Sequence, residues 1–331
     1  MANAPLNIIV TGANGFLGSF ICQQLLDDGN NVFAFVRSSS NLKNIEGLPI
    51  RIINPIYSDT QALGKLLLQI EPDLIIHVAG ITSASKKEDF YTVNFVYTKN
   101  LIDAINKTKI KNLRKIIFIS SLAAQGPGKD LKKPITTSNE ANPICMYGKS
   151  KLLAENYIKF NSSIPYIILR PTAIYGPKDP DCIQCFKLIQ KGIQIHLGFK
   201  ESFASFIYVK DLAKIIGLLA QNITLSNKTY IAGDNKSYSH TDFLNTIKKA
   251  LNKKTIKIRL PLSLVFLVAI CGTVIGKLFK RRILLNREKY FILRERNWQA
   301  LDLALTKDLN FCEFHSLADG VVETANWLKK K

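Results

Sequence analysis

Short apolar runs, evenly spaced and separated by stretches of helical periodicity, constrain the fold of this chain more than any other feature. Runs of four or five residues rich in Ile, Val, Leu and Phe occur at residues 7–10, 32–36, 50–53, 74–78 and 115–119. Helical patterns lie between them, over residues 17–28, 60–70 and 89–105, and the pattern continues with a helix over 147–160 and a strand over 166–169. A strand with no polar alternation must be covered on both faces, and helices between parallel strands provide that cover. Right-handed crossovers then lead to one architecture, an α/β doubly wound parallel sheet. Past Arg170 the pattern loosens into Gly-, Pro- and Asp-rich loops with shorter elements. The expected organisation is therefore a sheet domain over 1–170 and a smaller C-terminal substrate-binding lobe over 171–331. Strands from about 203–233 are expected to return to the main sheet.

The turn after the first run reads Thr11-Gly12-Ala13-Asn14-Gly15-Phe16-Leu17-Gly18. Glycines at these positions permit a tight turn, close approach of backbone to a pyrophosphate, and close helix–strand packing. The helix N-terminus that follows offers free N–H groups and the positive end of its dipole. The placement between a first strand and a first helix makes this a Rossmann-like dinucleotide loop. The second strand ends Phe35-Val36-Arg37-Ser38, with no acidic residue between Asp28 and Glu46. A carboxylate here would hold a ribose 2′-hydroxyl, whereas Arg37 beside Ser38 suits a 2′-phosphate, so NADP(H) is favoured over NAD(H). No metal is expected: Cys182-Ile-Gln-Cys185 has half the spacing of a zinc site, but no second pair follows it.

Tyr147 and Lys151 stand four apart at the start of a helical segment, which puts phenol and ammonium on one face. A cation at that distance is expected to stabilise a phenolate and lower its pKa from about 10. The bland alternative is a solvated helix face.

Taken together, these residues resemble the extended (atypical) short-chain dehydrogenase/reductases, also called the NAD-dependent epimerase/dehydratase family. The matching stretches are TGANGFLG (11–18), HVAG (77–80), ISSLAAQG (119–126), YGKSK (147–151), LRPTAIYGPKD (169–179) and FIYVKDLA (206–213). The resemblance implies that Tyr147 is the general acid/base, and that Lys151 lowers its pKa and holds the nicotinamide ribose. It further implies that Ser121 bonds the substrate oxygen. Thr11, Gly12, Asn14, Gly15, Phe16, Leu17 and Gly18 would cradle the pyrophosphate, and His77, Val78 and Ala79 would lie along the cofactor. Asn94 would be the family's structural asparagine, and Pro171 and Ile174 would flank the nicotinamide. The implied activity is hydride transfer between a nicotinamide cofactor and a secondary alcohol or ketone, steroid-like or another small carbonyl compound.

Three departures from the family pattern bear on the substrate. Ser121 is followed by Leu122-Ala123-Ala124-Gln125 rather than an Asp-Glu pair, which argues against a nucleotide-sugar dehydratase. Tyr97 replaces a glycine in Asn-x-x-Gly-Thr, and Asn54-Pro55-Ile56 replaces Gly-Asp-Leu, which removes the usual adenine contact. A nucleotide-sugar 4-epimerase with tightly held NAD stays open as a rival, as does a non-catalytic NADP-binding scaffold.

The net charge of +20 favours anionic partners. No recognised nucleic-acid module accompanies it, so nucleic-acid binding is not expected. Residues 260–276 carry no charge, and Lys277, Lys280, Arg281, Arg282, Arg287 and Lys289 follow. An apolar helix over about 260–280 is expected, with three readings open: buried against the substrate lobe, interfacial on acidic lipid, or spanning a bilayer. The expected partners are thus a small-molecule substrate, a peripheral membrane contact through about 260–289, and a second copy in a homodimer. Residues MANAPLNIIV run straight into a strand and the six cysteines are scattered, which points to a cytoplasmic chain, peripheral on the inner face of a membrane in the interfacial case.

Overall fold

The computed structural model describes residues 4–84, 86–279, 283 and 285–330. Seven parallel strands form the central sheet: β1 (Asn7–Thr11), β2 (Asn31–Phe35), β3 (Arg51–Ile53), β4 (Leu74–His77), β5 (Lys115–Ile119), β6 (Tyr166–Pro171) and a late strand, Lys228–Ala232. Their spatial order is Lys228–Ala232, β6, β5, β4, β1, β2, β3. The chain builds outward from β1 in one direction and, from β4, in the other. The reversal leaves a crevice at the strand ends where Thr11 stands in register with His77. Open α/β sheets bind their ligands at such a point.

Side-chain alternation decides which helix covers which face. Ile8 and Val10 point to one side with Leu25, Ile117, Leu169 and Ile216, under α1 (Phe16–Asp27) and the helix Val209–Gln221. Ile9 points to the other with Phe33, Leu63, Leu101, Phe118 and Ile158. That side is covered by α2 (Thr60–Ile70), α4 (Tyr97–Thr108) and α6 (Met146–Asn161). Burial on both faces explains why these strands read as continuous apolar runs.

The single helix expected over 89–105 is instead three consecutive helical segments. α3 (Lys87–Tyr91) passes into a wide π-turn, Thr92–Val96, and then into α4. The π-turn contains Asn94, whose side chain accepts from the Ile81 amide at 2.8 Å and donates to the Ile81 carbonyl at 3.1 Å. Wide turns of this kind inside helices often mark functional sites. Tyr97, the residue replacing glycine, stacks on Tyr57 with ring centroids 5.6 Å apart.

In the second half of the chain, Ala173–Tyr175 pairs with Phe206–Tyr208, and Ile193–Leu197 with Ile256–Leu260. Of the strands in 203–233, Lys228–Ala232 is the one that joins the main sheet. The apolar helix spans Leu262–Phe279. It packs through Val265, Ala269, Gly272 and Gly276, while Leu264, Leu267, Val268, Val274 and Leu278 face outward. Full burial is therefore corrected. So is a membrane span: among the described residues, no helix is long and apolar enough to cross a bilayer. Lys280, Arg281 and Arg282 of the expected basic flank, and the Lys277 side chain, lie outside the described residues.

Candidate active site

The glycine loop leaves β1 at Thr11, and Gly12 turns with φ +66°. A Cβ there would stand 2.9 Å from the Ala79 Cα, and a Cβ on Gly18 would collide with the Gly12 carbonyl oxygen. Both positions need glycine, because helix, turn and the end of β4 share one tight volume. Gly15 is the N-cap of α1, with no side-chain cap and no acidic residue in the first turn. The first helical N–H groups, from Phe16 and Leu17 onward, are thus left to a ligand of negative charge, and the cradle fits a dinucleotide pyrophosphate. Asn14 braces the loop from outside, donating to the Asn41 carbonyl at 3.1 Å while its own carbonyl accepts from Asn44. Lys178 reaches the segment that braces this loop, with its Nζ 3.1 Å from the Asn44 carbonyl. Arg37 and Ser38 stand exposed just past the end of β2.

Thr11 organises the crevice. Its hydroxyl accepts from the Val78 and Ala79 amides and lies 2.7 Å from His77 Nδ1. The other imidazole nitrogen is 2.9 Å from the Thr98 hydroxyl. Burial pushes the His77 pKa down to about 3, and the positive charge of Lys151 adds to the effect. His77 is therefore a neutral bracket between β1, β4 and α4, not a proton carrier.

Ser121 caps α5 (Leu122–Gln125) directly after β5, its hydroxyl accepting from the Ala123 amide. Tyr147 and Lys151 are in the first two turns of α6. Contacts near its start cap that helix and tie it to its neighbours. The Met146 amide donates to Glu288 Oε2 at 2.6 Å, the Gly148 amide to Cys145 Sγ, and Asn94 Nδ2 to Ser150 Oγ at 3.0 Å. Gly148 lies against the Ala123 carbonyl, so α5 and α6 touch where Ser121 and Tyr147 meet.

The electrostatics differ from those expected of the Tyr–Lys pair. Burial pushes the Tyr147 phenol up to about 12, and hydrogen bonding with Ser121 pulls in the opposite direction. Lys151 donates to the Ile119 carbonyl at 2.9 Å and sits 4.8 Å from the centre of the Phe118 ring. Burial lowers its pKa to about 8, with Glu155 opposing. Desolvation thus sets the direction at the phenol, and Ser121, rather than the cation that spacing alone suggested, is the group that favours phenolate.

Pro171 ends β6, and Ile174 lies in the next strand, half-buried. Behind them is a buried network with no sequence signature. Glu155 accepts from Arg170 Nη2 at 2.5 Å and Nε at 3.0 Å, and from Ser120 Oγ; Arg170 Nη1 reaches Gln125. Among the described residues no cluster of His, Cys, Asp and Glu could hold a metal ion.

The chain is similar in sequence and in fold to known proteins. The chain is 26% identical over 284 residues to the N-acetyl-alpha-D-glucosaminyl-diphospho-ditrans,octacis-undecaprenol 4-epimerase of Escherichia coli O157:H7, covering 82% of this chain and 80% of that protein. It is 24% identical over 287 residues to a decarboxylating sterol-4-alpha-carboxylate 3-dehydrogenase of Dictyostelium discoideum, covering 82% and 85%. The solved UDP-glucuronic acid 4-epimerase of Bacillus cereus, in complex with NAD, superposes with a TM-score of 0.76 at 21% identity over 98% and 96% of the two chains. The family model described as NAD dependent epimerase/dehydratase family matches residues 8–233, and the chain is an enzyme belonging to that family.

Proposed function

We propose that the chain is an NAD(P)-dependent oxidoreductase acting on a secondary alcohol or ketone, with Tyr147 as proton carrier. The observation that carries this reading is the hydrogen bond between the Ser121 hydroxyl, at the end of β5, and Tyr147, on the helix that also carries the buried Lys151. A nicotinamide cofactor, when bound, supplies or accepts the hydride. Ser121 and Tyr147 donate hydrogen bonds to the substrate oxygen as it gains charge, and Tyr147 passes its proton across. In the oxidative direction the Tyr147 oxygen takes the hydroxyl proton, with Ser121 stabilising the phenolate. Lys151, charged below about pH 8, keeps a positive charge beneath the crevice. Thr11, Gly12, Asn14, Gly15, Phe16, Leu17 and Gly18 hold the pyrophosphate. His77, Val78, Ala79, Asn94, Pro171 and Ile174 shape the wall for the nicotinamide half, and Arg37 with Ser38 selects NADP(H) over NAD(H).

Tyr147→Phe should lower kcat by about 10²–10⁴-fold while cofactor affinity stays within about twofold, measured by stopped-flow turnover and cofactor titration. Unchanged turnover would remove Tyr147 from the reaction. Arg37→Ala should weaken NADP(H) about tenfold and leave NAD(H) unaffected.

The 4-epimerase reading has its own support, since two of the similar proteins named above are 4-epimerases. It predicts purified protein that retains NAD and interconverts sugar epimers without net NADH release. A dehydrogenase or reductase consumes free cofactor in proportion to product.

A further inference from the structure

Among the described residues, nothing covers the outer face of the helix Leu262–Phe279. Leu267 is 58% exposed, Val274 50% and Leu278 72%, and Leu264, Val268, Ile270 and Ile275 accompany them on the surface. The strand before it adds Ile256 and Ile258, both exposed. An apolar surface this continuous is unusual on a free soluble face and marks a contact site. Its surroundings identify the partner. Between Asp242 and Glu288 the sequence contains no acidic residue and eleven Lys or Arg, more than half of the net +20. Lys253, Lys254, Lys257 and Arg259 are exposed in the approach to the helix. On its inner flank, Lys86, Lys87 and Arg287, with Glu88 and Glu288 among them, line a cavity of about 340 Å³ beside Gly272 and Gly276.

We propose that this face docks on an anionic lipid bilayer, with the helix lying in the interface. Apolar side chains without a polar counterpart suit the acyl boundary, and a surrounding field of cations suits acidic headgroups. A second copy of the chain is disfavoured as the occupant, because pairing two such faces would bring two strongly basic segments together. The cavity continues toward Glu288, the residue that holds the first amide of the helix carrying Tyr147.

The test is co-sedimentation of the full chain with vesicles of phosphatidylcholine alone and of phosphatidylcholine mixed with phosphatidylglycerol, at low and high salt. Binding should be at least about tenfold stronger to the anionic vesicles and should fall with salt. Leu267→Glu combined with Leu278→Glu should abolish it with an unchanged circular dichroism spectrum, since both side chains are already exposed. Leu267→Trp should show a blue-shifted emission on adding anionic vesicles only. Equal binding to both vesicle types, or full binding by the double variant, overturns the proposal. So does salt-stable self-association through this face, seen by sedimentation velocity, without vesicle binding. None of these readouts involves turnover, so the docking surface and the role of Tyr147 stand or fall separately.

Discussion

His77 shows how burial assigns a residue its task. It lies between two threonine hydroxyls, wholly enclosed, with an ammonium nearby, and the enclosure and the ammonium both favour the neutral ring. Its folded pKa of about 3 lies below the ordinary 6.5, so between those values the unfolded chain binds a proton that the folded chain refuses. The stability this contributes is complete above pH 6.5 and lost as pH falls toward 3. In urea unfolding followed across that window, wild type should lose a few kcal/mol more than His77→Asn. Parallel pH profiles for the two would show that the ring is not the titrating group. The position of His77 at the end of an apolar run was legible in the sequence. Its bond to Thr98, 21 residues away, was not, because that contact exists only once β4 packs on α4.

At the scale of elements, the site depends on a charged pair that no spacing rule identifies. Arg170 on β6 and Glu155 on α6 are nearly inaccessible, and through Ser120 and Gln125 they join the end of β5 to α5. These are the elements that position Ser121, Tyr147 and Lys151. Arg170→Met would leave a carboxylate buried without its cation, at a cost of about 3–5 kcal/mol by chemical unfolding. The double variant Arg170→Met/Glu155→Leu should recover most of that loss, because the desolvated charge goes with its partner. If the single variant were as stable as wild type, the pair would have no part in holding the helix. Helices and strands themselves were legible from periodicity. The π-turn at Thr92–Val96 was not, since it arises from the Asn94 bonds to Ile81 rather than from any local propensity.

Across the whole molecule, exposed apolar groups suggest how copies meet. Leu153 and Phe160 stand outward on α6, a helical repeat apart, and Tyr91 is exposed at the end of α3. We propose these as the homodimer face. Leu153→Glu with Phe160→Glu should shift the protein toward monomer in sedimentation velocity, with little loss of stability, since both sites are already wetted. A sedimentation coefficient identical to wild type would rule out this face.

The sequence by itself determined the parallel sheet, the glycine loop and the placement of Tyr147 and Lys151 on one helix, because strand burial, turn geometry and helical spacing are short-range consequences of residue order. Only the tertiary structure decided the direction of the Tyr147 shift, the Arg170–Glu155 clasp, the hold of Glu288 on the reactive helix, and which face of the apolar helix is left outward. Each of these depends on desolvation or on contacts between residues far apart in the chain, and burial energies become defined only when distant elements close over a group.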